Sequence, residues 1–103
     1  LGERPGGKTC KAMQGLVAEG AEAIEEHEAS TVRDVQLIGA AQRVEHYEIA
    51  AYGTVVAMAK LMKHHEAADL LQETLDEEGA TDKKLTSLSK AVNKAAFREA
   101  PGM

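Results

Sequence analysis

Four carboxylates stand where an apolar stripe is expected. Followed in alternating steps of four and three, one helical face of the stretch 41–62 carries Ala41, Glu45, Glu48, Tyr52, Val55, Ala59 and Met62. A similar trace further on, with two successive steps of three between Asp82 and Leu88, gives Leu71, Leu75, Glu78, Asp82, Leu85, Leu88 and Val92. Each stripe is interrupted by a pair of acids, and neither carries a Lys or Arg to offset them. Taking an ion out of water costs several kcal/mol even after relaxation, so acids kept on such a seam must share protons or surround cations. The alternative is that one or both pairs turn to solvent, the ordinary place for Glu on a helix.

Oxygen ligands on facing helices of a bundle are the known way to hold two iron or manganese ions while leaving positions open for dioxygen or peroxide. Glu45, Glu48, Glu78 and Asp82 are therefore the candidate metal ligands, with Glu77 the substitute if the later helix is rotated. The usual Glu-x-x-His pattern is replaced here by Glu45-x-x-Glu48, and no histidine stands three residues after Glu78. His46 is turned 100 degrees from Glu45, which suits packing or support of a ligand better than ligation. His27, His64 and His65 fall near expected helix ends, where solvated or capping histidines are common. Tyr52, one turn past Glu48, is expected to fill the core, and secondarily to donate to a carboxylate. Met13, Met58 and Met62 have core spacing, and Cys10 reads as a small apolar residue or an incidental thiol.

The elements that position these groups are helices. There are 18 alanines, two prolines and three aromatic side chains, alongside many Glu, Lys, Leu and Gln. Residues 1–8, with three glycines and Pro5, form a loop, and Leu1-Gly2 reads like the end of a preceding helix. A first helix is expected over 9–28, capped by Thr9 and weakened by Gly15 and Gly20. A second, capped by Ser30 or Thr31, runs over 31–62, where Gly39 and Gly53 would let a neighbour approach. After a polar break at Lys63-His64-His65 a third covers 66–95, and 96–103 is a tail. The short break makes the two long helices an antiparallel hairpin. A turn centred between His64 and His65 sets position 48 opposite 81 and 45 opposite 84, which brings the acid pairs within about one turn, some 5 Å, of each other.

One partial domain over 1–103 is expected, too small to bury much surface by itself. A net charge of −5, with both signs mixed along each segment, gives no basic patch for a phosphate backbone, so no nucleic acid is expected. No apolar run is long enough for a membrane span, and the start lacks a signal-peptide pattern. A single cysteine fits a reducing compartment, and the expected location is cytoplasmic.

The string Arg43-Val-Glu-His-Tyr-Glu-Ile-Ala-Ala-Tyr-Gly-Thr54 resembles the central helix of the YciE/YciF-like bacterial stress proteins of the ferritin-like superfamily. Leu70-Leu-Gln-Glu-Thr-Leu-Asp-Glu-Glu78 with Ala80-Thr-Asp82 looks like that family's last helix, and Leu1-Gly-Glu-Arg-Pro5 leading to Cys10-Lys-Ala-Met-Gln-Gly-Leu16 like its middle connector. The resemblance implies an all-α ferritin-like bundle that forms dimers, a role in stress, and a dimetal site drawing on Glu45, Glu48 and Glu78. It also implies two helices before the connector. The expected fold is therefore a three-helix fragment, one shorter helix plus a long antiparallel hairpin, completed by oligomerisation with a second copy. The expected function is a stress protein with a dinuclear iron or manganese site handling peroxide or oxygen. The alternative is a non-catalytic dimerisation protein whose acids hold no metal.

Overall fold

The computed structural model describes residues 10–26 and 28–99. The expected loop over 1–8, the Thr9 cap, His27 and the last four residues of the tail lie outside the described residues. Three helices make up the rest: α1 (Lys11–Glu26), α2 (Thr31–Leu61) and α3 (His65–Glu99). The all-helical architecture expected from composition is present, and α3 continues four residues past the expected end, through Ala96, Phe97, Arg98 and Glu99, of which Ala, Arg and Glu are good helix formers.

The helix starts are explained by side chains. Ser30 caps α2 with extended backbone, and its Oγ accepts from the Arg33 N–H at 3.2 Å, satisfying one of the orphan donors of the first turn. With the cap supplied by Ser30, the Thr31 hydroxyl donates instead to Glu99 at 2.6 Å, tying the start of α2 to the end of α3. At α1, the Sγ of Cys10 takes the capping position and accepts from the Met13 N–H at 3.4 Å.

The hairpin turn is tight. The Lys63 N–H donates to the Lys60 carbonyl and the His64 N–H to the Ala59 carbonyl, closing the last turn of α2 in the pattern that normally places glycine in the left-handed region. Here Lys63 occupies it, at φ 61°. The turn thus centres on Lys63 rather than between His64 and His65, and Glu48 comes opposite Glu78 rather than residue 81.

α2 is the central helix. It packs on both α1 and α3, while α1 and α3 do not pack on each other. The body is elongated, 58 × 26 × 16 Å. Such an open arrangement encloses little: among the described residues the buried side chains are Ile38, Val56 and four alanines, Ala23, Ala40, Ala59 and Ala68. Alanines suit this, because they let helix axes approach closely.

Three seam expectations are corrected. Val56, not Val55, is buried, while Val55, Met58, Met62 and Leu88 are exposed. The other traced positions are buried or half-buried, with Ala59 buried on α2 and Leu71, Leu75, Leu85 and Val92 half-buried on α3. Nor do Gly39 and Gly53 admit a neighbouring helix: a Cβ on Gly53 would meet nothing within 4 Å, and one on Gly39 would meet only Arg43 of its own helix. The close approach is at Gly20 of α1, where a Cβ would lie 4.0 Å from the Ala40 Cβ of α2.

Candidate metal centre

Glu45 and Glu48 project from the middle of α2 and Glu78 from α3, and one carboxylate oxygen of each lies within 4.8 Å of the other two. The three are half-buried. Among the described residues, no Lys, Arg or His forms an ion pair with them. The Glu45 Oε2 atom is buried and has no hydrogen-bond partner.

Electrostatics decides what this cluster tolerates. Two unit charges about 5 Å apart repel by roughly 1 kcal/mol in bulk water and 3–4 kcal/mol at the effective dielectric of a protein surface. Three mutually close charges would draw heavily on a total stability of about 5–15 kcal/mol. Protons relieve this. Glu48 is pushed above the ordinary carboxylate range, first by its hydrogen bond to Glu78, then by burial and by the charge of Glu78. Glu78 is also raised: donating to Glu45 is the largest cause, accepting from Glu48 works in the opposite sense, and burial with the charges of Glu45 and Glu77 adds to the rise. Both shifts favour the protonated acids, as expected for carboxyls of facing helices brought this close.

Asp82, one turn beyond Glu78, is not among the three that converge. Its Oδ1 is 2.9 Å from His46 Nε2 and accepts from Gln42 Nε2 at 3.3 Å, while Gln42 also donates to Thr86 at 2.8 Å. His46, largely exposed, has turned off the seam as its 100 degree offset requires, and meets the other helix at its edge. Tyr52 is half-buried and makes no hydrogen bond among the described residues. His64 and His65 are exposed at the turn.

One pairing was invisible in the sequence. Cys10 Sγ lies 3.0 Å from the Tyr47 hydroxyl, joining α1 to α2 across 37 residues. The thiol is lowered from its ordinary value, mainly by this hydrogen bond and then by the Met13 N–H, while the tyrosine is raised by the same contact. Cys10 is therefore neither apolar filling nor isolated. Nothing in the spacing of positions 10 and 47 signals the contact, because it depends on how α1 lies across α2.

An all-helical layer presenting a knot of carboxylates from facing helices is the half of a helical-bundle protein that carries a polar centre. The chain belongs to the family described as "Domain of unknown function (DUF892)", whose model matches residues 1–97. It is 54% identical over 92 residues to Protein YciF of Escherichia coli (strain K12), a span of 88% of this chain and 55% of that protein. The crystal structure of the E. coli stress protein YciF superposes with a TM-score of 0.85 at 48% identity, covering 90% of this chain and 58% of that one. YcfI from Rhodopseudomonas palustris superposes at 0.76 with 41% identity, covering 82% and 54%. The chain thus spans little more than half the length of these relatives. No helix among the described residues is long and apolar enough to cross a membrane.

Proposed function

We propose that Glu45, Glu48 and Glu78 bind divalent iron or manganese, and that the protein serves a stress response through this carboxylate centre. The observation that carries the reading is the meeting of three carboxylates within 4.8 Å, with no cationic side chain among the described residues paired to them and with Glu45 Oε2 buried and unpartnered. A structural cluster of acids would be offset by Lys or Arg; this one is left to protons or a metal. The oxygen-only donor set suits hard cations and the ferrous or manganous ions that carboxylate bundles take. The similarity to a protein described as a stress protein supports the wider role, and a cytoplasmic setting accords with it.

Glu78 contacts both acids of α2 and so is placed to bind jointly with either; Glu45 and Glu48 hold the opposite side. Protons held by these acids must leave as a cation enters. Gln42 and His46 hold Asp82 one turn from Glu78, beside the three glutamates rather than among them. When bound, a pair of iron or manganese ions supplies redox chemistry toward dioxygen or peroxide.

Anaerobic ferrous and manganous titration by calorimetry tests the reading. The protein should bind either ion with heat that depends on the ionisation enthalpy of the buffer, reporting released protons. A Glu48→Ala, Glu78→Ala double variant should lose that binding. Equal weak heats from both proteins would overturn it, leaving the non-catalytic helical reading.

A further inference from the structure

We infer that a polar clasp of Gln42, His46, Asp82 and Thr86 sets the rotation of α3 against α2 and so presents Glu78 to Glu45 and Glu48, which makes Asp82 a positioning residue rather than a ligand. The inference rests on the metal reading above, and adds the residues that hold the two sides of the centre in line.

The clasp is a ladder. Gln42 and His46 stand one turn apart on α2, and Asp82 and Thr86 one turn apart on α3. The Gln42 amide donates to Thr86 Oγ1 at 2.8 Å and to Asp82 Oδ1 at 3.3 Å, and His46 Nε2 lies 2.9 Å from that same Oδ1. Each step of four along α2 is thus matched by a step of four back along α3, as one antiparallel register requires. A further turn in the same sense leads from Asp82 to Glu78 on α3 and from His46 past Glu48 on α2, where the three glutamates meet.

Apolar packing alone would specify this alignment weakly. Among the described residues the buried side chains are few and mostly alanine, and apolar contact has no direction of its own. Turning α3 by one residue, about 100 degrees, would carry Glu78 off the centre and bring Gly79, which has no carboxylate, or Glu77, which is exposed, toward its place. Hydrogen bonds are directional, and polar pairs of this kind fix helix register elsewhere. Asp82 also has the wrong arrangement for a ligand here. Both of its partners engage one oxygen, and it stays outside the three acids that converge. Apart from the glutamates' own contacts, the other side-chain bond between these helices among the described residues is Thr31 to Glu99, and Thr31 lies about 21 Å of helix before Glu45.

Calorimetric titration of the full chain with manganese, beside thermal melts followed by circular dichroism, tests this. Gln42→Leu and Asp82→Leu should each weaken manganese binding by about 10–100-fold. Asp82→Asn, which keeps an oxygen to accept from Gln42 and His46 but gives up the charge of a ligand, should bind close to native strength. Thr31→Val, which breaks the remote bond between the same helices, should lower the melting temperature and leave manganese affinity unchanged. An Asp82→Asn variant as weak as Asp82→Leu would make Asp82 a ligand and overturn the inference, and this comparison stands even where a Leu variant fails to fold, with the Asn variant then set against the native chain. Native affinity in a folded Gln42→Leu variant would overturn it as well, and so would a Thr31→Val variant that loses affinity along with stability, since the clasp would then do no more than any tie between the helices. In each of those cases the metal reading survives. A native chain that binds no manganese would overturn the metal reading and this inference with it.

Discussion

Glu78 holds the carboxylate centre together, because it contacts both acids of α2 while those two sit a turn apart on one helix. Replacing it should abolish cation binding more completely than replacing Glu45. Lys63 is the residue with the plainest conformational cost: a side chain at φ 61° bears a strain that glycine does not. Lys63→Gly is expected to raise stability by about 0.5–1 kcal/mol in denaturant melts, since the turn's hydrogen bonds use only backbone. At the α1/α2 contact, Tyr47→Phe removes the hydroxyl whose hydrogen bond is the main cause of the lowered Cys10 thiol. Titration of thiolate absorbance should then move to higher pH; an unchanged curve would mean that the hydrogen bond does not govern the thiol.

At the scale of elements, the helices and the hairpin were legible because their signals are local: Ser30 before an apolar-periodic run, three polar residues at the turn, and alanine-rich sequence with no internal proline. The convergence of Glu45, Glu48 and Glu78 was also legible, since a hairpin with a known turn fixes heights to within about one helical turn. What escaped was rotation and fine register. Val55 and Val56 are both apolar, and only the rotation of α2 in the packed layer decides that Val56 is the buried one. Centring the turn on Lys63 moved the partner of Glu48 to Glu78 and left Asp82 to His46 and Gln42. Gly53 shows the same limit: small residues suggest close approach, yet nothing approaches it. Gly53→Ala is therefore expected to stabilise the protein by about 0.5–1 kcal/mol through helix propensity alone, read as a raised midpoint in urea.

For the whole molecule, an open layer with a small alanine-rich core has little stability to spare, so the carboxylate centre should be visible in its pH dependence. Glu48 and Glu78 are raised by folding. Acids of this kind contribute stability that is complete below their unfolded values and is lost as pH rises through the raised folded values. In chelator, melting temperature should therefore be highest in mildly acidic solution and fall toward neutrality. Manganese should reverse the trend, because deprotonated ligands bind it more tightly. The Glu45→Gln, Glu48→Gln, Glu78→Gln variant should lack both responses.

The central claim is that three glutamates form a cation site. Electron paramagnetic resonance of added manganese tests it most directly, since the sharp signal of the hydrated ion disappears when protein carboxylates replace its water. The chain should suppress this signal near neutral pH, acidification should restore it, and the triple Gln variant should never suppress it. Equal free-ion signal from both proteins at neutral pH would mean that the three glutamates hold no cation.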